Sequence, residues 1–330
     1  MLIAQTAAGA FNPDELLAYA RNLVDSFSIG NYKEHAVGKH TWDFIDFWFD
    51  SETRDKLAGL VSGIRKAPAH LRPALWCAFS RLIITKDKGA SKARDVSHSR
   101  PHRVRDTASF DVVERFLPSV STVARRVAAQ RQDMLVPSGA ERLGSFTPLR
   151  ADGRSIPLGS DSVDSVMTSP PYLVAIDYLR GHRMSLVWMG YDIDYLRELR
   201  GTNIGSSRGG PAEAEVQRIQ ETATSGILGP SDVRLVNRYI GDMWRVISEI
   251  ARVLRPDGGA TFVIADARLK GANISVEKII VELCGLEGLS LSSRACREIP
   301  ANRRYLPPPR SSGKGLDLRM REEVILGFVN

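Results

Sequence analysis

Long apolar runs are missing from this 330-residue chain: nowhere do about 18 apolar residues follow one another, which excludes a helical membrane span. The amino-terminal MLIAQTAAGAFNPDE carries no basic residues ahead of its short apolar stretch, so it does not read as an export signal, and the cytoplasm is the expected compartment. Cysteine is scarce. Cys77, Cys284 and Cys296 are too few and too scattered for a disulfide framework, and no CxxC pair or Cys/His cluster has metal-ligand spacing. No metal is therefore expected. Internal repeats and long low-complexity tracts are also lacking, which excludes a solenoid and a largely disordered chain.

Hydrophobic residues make up 43% and charged residues 25%, the balance of an ordinary globular protein. The length suits about two domains. The net charge is +7, and it is concentrated. Residues 86–105 hold seven Lys/Arg against two Asp, and residues 297–321 hold seven against two acids. Such segments read either as exposed loops or as a surface that tracks phosphate. On the second reading Arg100, His102, Arg103 and Arg105 of the first segment, with Arg303 and Arg304 of the second, face the phosphates of a nucleic acid.

Residues 1–140 read as mainly helical. Asn12-Pro13-Asp14-Glu15 is a helix start, with a capping side chain, proline in the first turn and acids at the positive end of the dipole. The aromatic stretch 41–50 reads as core, 51–66 and 70–84 as helices, and 86–105 as a loop. A further helix is expected over 109–132 with a kink at Pro118. The texture changes near residue 145. Residues 162–167 form a strand-like run, and 201–230 a Gly/Ser-rich excursion. In 234–254, Ile240, Met243, Trp244, Ile247, Ile250, Ala251 and Leu254 share one helical face. Arg255-Pro256-Asp257-Gly258-Gly259 is a stop signal before a strand at 261–266. A helix at 275–285 and strands near 288–294 and 322–328 follow. Alternating elements predict an α/β fold with a mainly parallel sheet.

The most informative residues are Thr168-Ser169-Pro170-Pro171-Tyr172, at the carboxyl end of the 162–167 strand, where ligands of open α/β sheets bind. Two prolines stiffen the turn and remove two backbone donors. An exocyclic amine on a nucleobase is a poor nucleophile because its lone pair is delocalised into the ring. Accepting both of its N–H hydrogens frees that pair. A Ser169 hydroxyl and a Pro170 carbonyl are two fixed acceptors, and the Tyr172 ring can stack on an extruded base.

With these residues the chain resembles the S-adenosylmethionine-dependent DNA amino-methyltransferases, whose motif is [DNS]-P-P-[YFW], the Ser form being typical of cytosine-N4 enzymes. Residues 151–190, ARVLRPDGGATFVIAD (251–266), REIPANRRYLPPP (297–309) and LRMREEVILGF (318–328) resemble the same catalytic region. The resemblance implies a class I, Rossmann-like methyltransferase catalytic half over 141–330, with 1–140 as a target-recognition insertion. It implies Ser169, Pro170, Pro171 and Tyr172 as catalytic residues. It also implies Asp152 and Thr168 as contacts of S-adenosylmethionine, Arg180 near the substrate mouth and Asp266 lining the cleft. The glycine-rich FxGxG turn that such enzymes place before the catalytic motif is not found ahead of Ser169. A split enzyme whose second chain supplies that turn is one expectation, and a remnant that binds nucleic acid without catalysis is another. An RNA or protein amide methyltransferase is a third, against which Ser169 speaks, since those usually carry Asn there. Cytosine-C5 chemistry is set aside because no cysteine has proline beside it.

Overall fold

The computed structural model describes residues 1–8, 11–83, 88–94, 102–108, 110–133, 146–173, 178–204, 214–300 and 322–330. Contacts divide the chain into two units. The first is Met1–Arg150 with Asp177–Glu198, and the second is Ala151–Ile176 with Leu199–Asn330. The chain thus returns to the first unit after the proline turn and does not pass between the units once near residue 140.

The first unit is helical: α1 (Leu2–Ala8), α2 (Pro13–Asp25), α3 (Lys39–Trp48), α4 (Ser51–Lys66), α5 (Arg72–Ile83), α6 (Val112–Asp133) and α7 (Tyr178–Leu186), with α8 (Ile193–Gly201) beginning in it. Asn12 caps α2 through its side-chain oxygen, as its position before Pro13 predicts. The core gathers Phe49, Phe79 and the fully buried Trp188, whose ring meets Phe49 edge-on at 5.4 Å. Phe47 of the aromatic stretch is the exception, standing about half exposed against Trp48. Pro118 sits inside an unbroken α6.

The expected loop at 86–105 is in part a ribbon. β1 (Ala93–Arg94) pairs antiparallel with β2 (His102–Arg103), in register Ala93 to Arg103. Such short backbone pairing leaves no periodic trace in sequence, so composition alone misses it.

The second unit carries a four-stranded sheet. Its strands are β3 (Val163–Thr168), β5 (Leu254–Ile264), β8 (Ser290–Glu298) and β9 (Glu322–Val329), in the order β3-β5-β9-β8. Helices α9 (Ala214–Ala223), α10 (Pro230–Val253) and α11 (Val276–Leu286) accompany it, and β4 (Thr224–Ser225), β6 (Ala267–Leu269) and β7 (Ala272–Ile274) form a small antiparallel sheet. The fold is α/β, but the sheet is mixed and not mainly parallel. Only β3 and β5 run parallel among the described strands, while β9 pairs antiparallel to both β5 and β8. No helix separates β8 from β9 in the described residues, and antiparallel neighbours need no crossover helix. Part of the expected Gly/Ser-rich excursion, Ala214–Ala223, is helix.

The apolar stripe of α10 packs with α11 against one sheet face, burying Phe262, Leu326 and Phe328. Alternation then sends Met167 to the opposite face, where it is 80% exposed. The stop signal after α10 ends the helix at Val253, yet the strand begins at once, at Leu254. Arg255–Gly258 form a bulge in it: Val163 faces Leu254, whereas Ser165 already faces Gly259. Asp257 takes φ 64° in that bulge, and a Cβ on Gly258 would lie 2.8 Å from the Arg255 carbonyl oxygen. Turn-forming residues here bend a strand without ending it. Among the described residues no helix is long and apolar enough to cross a membrane.

Candidate active site

Strand β3 delivers the proline turn to the carboxyl end of the parallel pair, Thr168 lying opposite Phe262. Thr168 is half-buried at the strand's last position. Ser169 is exposed, Pro170 buried, Pro171 exposed, Tyr172 half-buried and Leu173 buried in the unit's core. Pro170 and Leu173 therefore anchor the turn from within while Ser169 and Pro171 face outward. The prolines fix φ and offer only carbonyl acceptors. Together with the Ser169 hydroxyl, the turn is a short rigid acceptor edge beside an aromatic ring.

The ring is tethered at its far end. The Tyr172 hydroxyl donates to Oε1 of Glu323 at 2.9 Å. Glu323 is the second residue of β9, and its Oε2 accepts from the guanidinium of Arg297 on β8, the Nε bond being 3.1 Å. Arg297 and Glu323 are direct cross-strand partners in the β8–β9 ladder. The Glu323 carboxylate beside it raises the pKa of Arg297 further. Sequence reasoning missed both residues. The only signal was the acid pair Glu322-Glu323 opening a strand, and it acquires meaning only once the register to β8 is known.

Asp152 sits in a turn with Arg154. Its carboxylate accepts from the Arg154 backbone N–H at 2.9 Å and from the Arg154 guanidinium at 2.8 and 3.0 Å. That guanidinium also donates to Asp242 of α10 at 2.9 Å and to the Thr202 carbonyl at 2.8 Å. Arg154 holds the Asp152 carboxyl below the usual carboxylate range. Asp152 thus closes a turn against α10. Asp266, expected in the cleft, instead accepts at 3.3 Å from the Glu277 N–H and at 3.5 Å from the Ser275 hydroxyl at the start of α11. It is a helix cap.

Of the basic residues, His102 and Arg103 are exposed on β2, with Arg103 paired to Asp106. Arg105 is half-buried and donates to the Ala93 carbonyl at 3.0 Å, so it closes the ribbon. Arg180 is half-buried on α7 in the first unit. Arg100, Arg303 and Arg304 lie outside the described residues.

A glycine-rich cradle for S-adenosylmethionine is not built from the described residues. Among them β3 has a partner strand on one side only, and the carboxylate expected to meet the adenine is held by Arg154.

No family model matches the chain, and no curated protein matches it. Solved structures similar to it include two crystal structures of one protein from Thermus thermophilus, provisionally classed as a DNA modification methylase. They are 15% and 16% identical, with TM-scores of 0.27 and 0.28 over 54% and 55% of this chain. The chain spans 50% and 52% of their length. A SAM-dependent methyltransferase from Methanosarcina mazei is 10% identical, with a TM-score of 0.27 over 63% of this chain and 77% of that one.

Proposed function

We propose that this chain is the substrate-amine half of an S-adenosylmethionine-dependent DNA methyltransferase, acting on an exocyclic amine of a flipped base, cytosine N4 in preference to adenine N6. The observation that carries the reading is the turn itself. Ser169 is exposed and Pro170 buried at the carboxyl end of β3, with Tyr172 alongside. Two acceptors would take the two amine hydrogens, and the ring would stack on the base. The amine then needs no strong base, because it loses its proton readily once methylated. His102 and Arg103 on their exposed ribbon suit phosphate contact with double-stranded DNA.

A second part of the reading is that another chain pairs along β3 and carries the glycine-rich turn. The one-sided pairing of β3 among the described strands and the exposure of Met167 favour it. A test indifferent to how many chains are needed is deletion of the gene from its own host, followed by modified-base sequencing of genomic DNA and of RNA. Loss of N4-methylcytosine at a defined DNA sequence is expected. Loss of N6-methyladenine instead would change the base and keep the class. Loss confined to RNA would overturn the DNA assignment. Unchanged methylation of both would leave a nucleic-acid-binding protein without catalysis.

A further inference from the structure

We infer that Glu323, clamped by Arg297, is a positioning residue that sets the plane of the Tyr172 ring. The inference rests on the reading of Tyr172 as a stacking surface, and it adds Glu323, 151 positions away in sequence, with its partner Arg297. The two prolines before Tyr172 fix φ at positions 170 and 171, and Leu173 after it is buried, so the chain is held on both sides of the ring. That leaves the side chain two torsions. A hydrogen bond of 2.9 Å from the phenol hydroxyl to Glu323 Oε1 fixes the far end of the ring and so both torsions.

The holder is itself built. The Glu323 side chain is only 14% exposed, and a carboxylate taken out of water to that degree needs compensation. Arg297 supplies it from the directly opposite position on β8, donating to Oε2 while Oε1 stays available for the phenol. Glu323 also lies on the sheet face opposite the buried Leu326 and Phe328, so the apolar core does not require a carboxylate there. A tyrosine that merely filled space would be served as well by phenylalanine. Here the hydroxyl has a dedicated acceptor on a separate strand.

The test uses the full chain and a single-stranded oligonucleotide carrying 2-aminopurine, whose fluorescence is quenched when it stacks on an aromatic ring. Tyr172→Ala should abolish the quench and weaken binding by about tenfold or more. Tyr172→Phe and Glu323→Ala should each at least halve the quench at saturation, because the ring remains but its plane is free. Glu323→Gln, whose amide oxygen still accepts from the phenol, should restore most of it. If Tyr172→Ala loses the quench while Tyr172→Phe and Glu323→Ala match the unaltered chain, the positioning role falls and the stacking role stands. If Tyr172→Ala itself changes nothing, both fall. If Glu323→Ala lowers the melting temperature but leaves the saturated quench intact, Glu323 is a structural residue and the inference is overturned.

Discussion

Removing the Arg154 side chain should loosen the second unit by a predictable amount. Arg154 is 18% exposed and bridges Asp152 to Asp242, whose side chain is 7% exposed on α10. Arg154→Ala takes the 2.9 Å hydrogen bond from the Asp242 carboxylate, while Arg238 Nε stands 3.7 Å from it. Stripping one partner from a buried ion pair costs about 3–5 kcal/mol. The partial exposure of Arg154 and the half-exposed Asp152 lower that to about 2–3 kcal/mol. For a unit of about 160 residues, at roughly 2–4 °C per kcal/mol, the melting temperature should fall by about 4–12 °C. Asp242→Asn keeps an acceptor oxygen for Arg154 and should cost less. Scanning calorimetry at pH 7 on both variants measures this. A fall below about 2 °C for Arg154→Ala, or a larger fall for Asp242→Asn, would refute the reasoning.

The core and the acid limb yield two further expectations. Phe262 is fully buried and meets Phe328 edge-on at 5.7 Å, so Phe262→Ala should cost about 3–5 kcal/mol in denaturant titrations, whereas Met167→Ala on the exposed face should stay within about 0.5 kcal/mol. Glu249 is pulled down from 4.5 to about 2, chiefly by the Arg252 guanidinium and then by the Ile156 N–H. A carboxyl whose pKa is lower in the folded state stabilises fully above its unfolded value and loses that contribution as pH falls from about 4.5 towards about 2. The melting-temperature gap between the unaltered chain and Glu249→Gln should therefore be constant near neutrality and close over that acid window. A gap that does not change with pH would count against it.

Local rules carried far in this chain. The Asn12 cap, Pro13 in the first turn of α2 and the apolar stripe of α10 are legible because each is written within a few residues. The stop signal at 255–259 misled about the strand start, because Pro, Asp and Gly serve a strand bulge as well as a turn. Sheet direction was harder still. Strand runs such as 261–264 look alike in parallel and antiparallel pairs, and only the placement of β9 between β5 and β8 decides it. At the site, the turn at Ser169–Tyr172 is local and was readable. The Tyr172–Glu323–Arg297 chain depends on register across strands, and the Arg154 bridge from Asp152 to Asp242 of α10 depends on a contact that no spacing announces.

The measurement that bears most directly on the account is the initial rate of labelled methyl transfer from S-adenosylmethionine to duplex DNA, for the unaltered chain and for Ser169→Ala, each with whatever partner the host supplies. Losing one of two fixed acceptors for the amine should slow transfer by about 10²-fold, by analogy with loss of a single oxyanion-hole donor, with DNA binding unchanged. An unaltered rate in Ser169→Ala would contradict the role assigned to the proline turn.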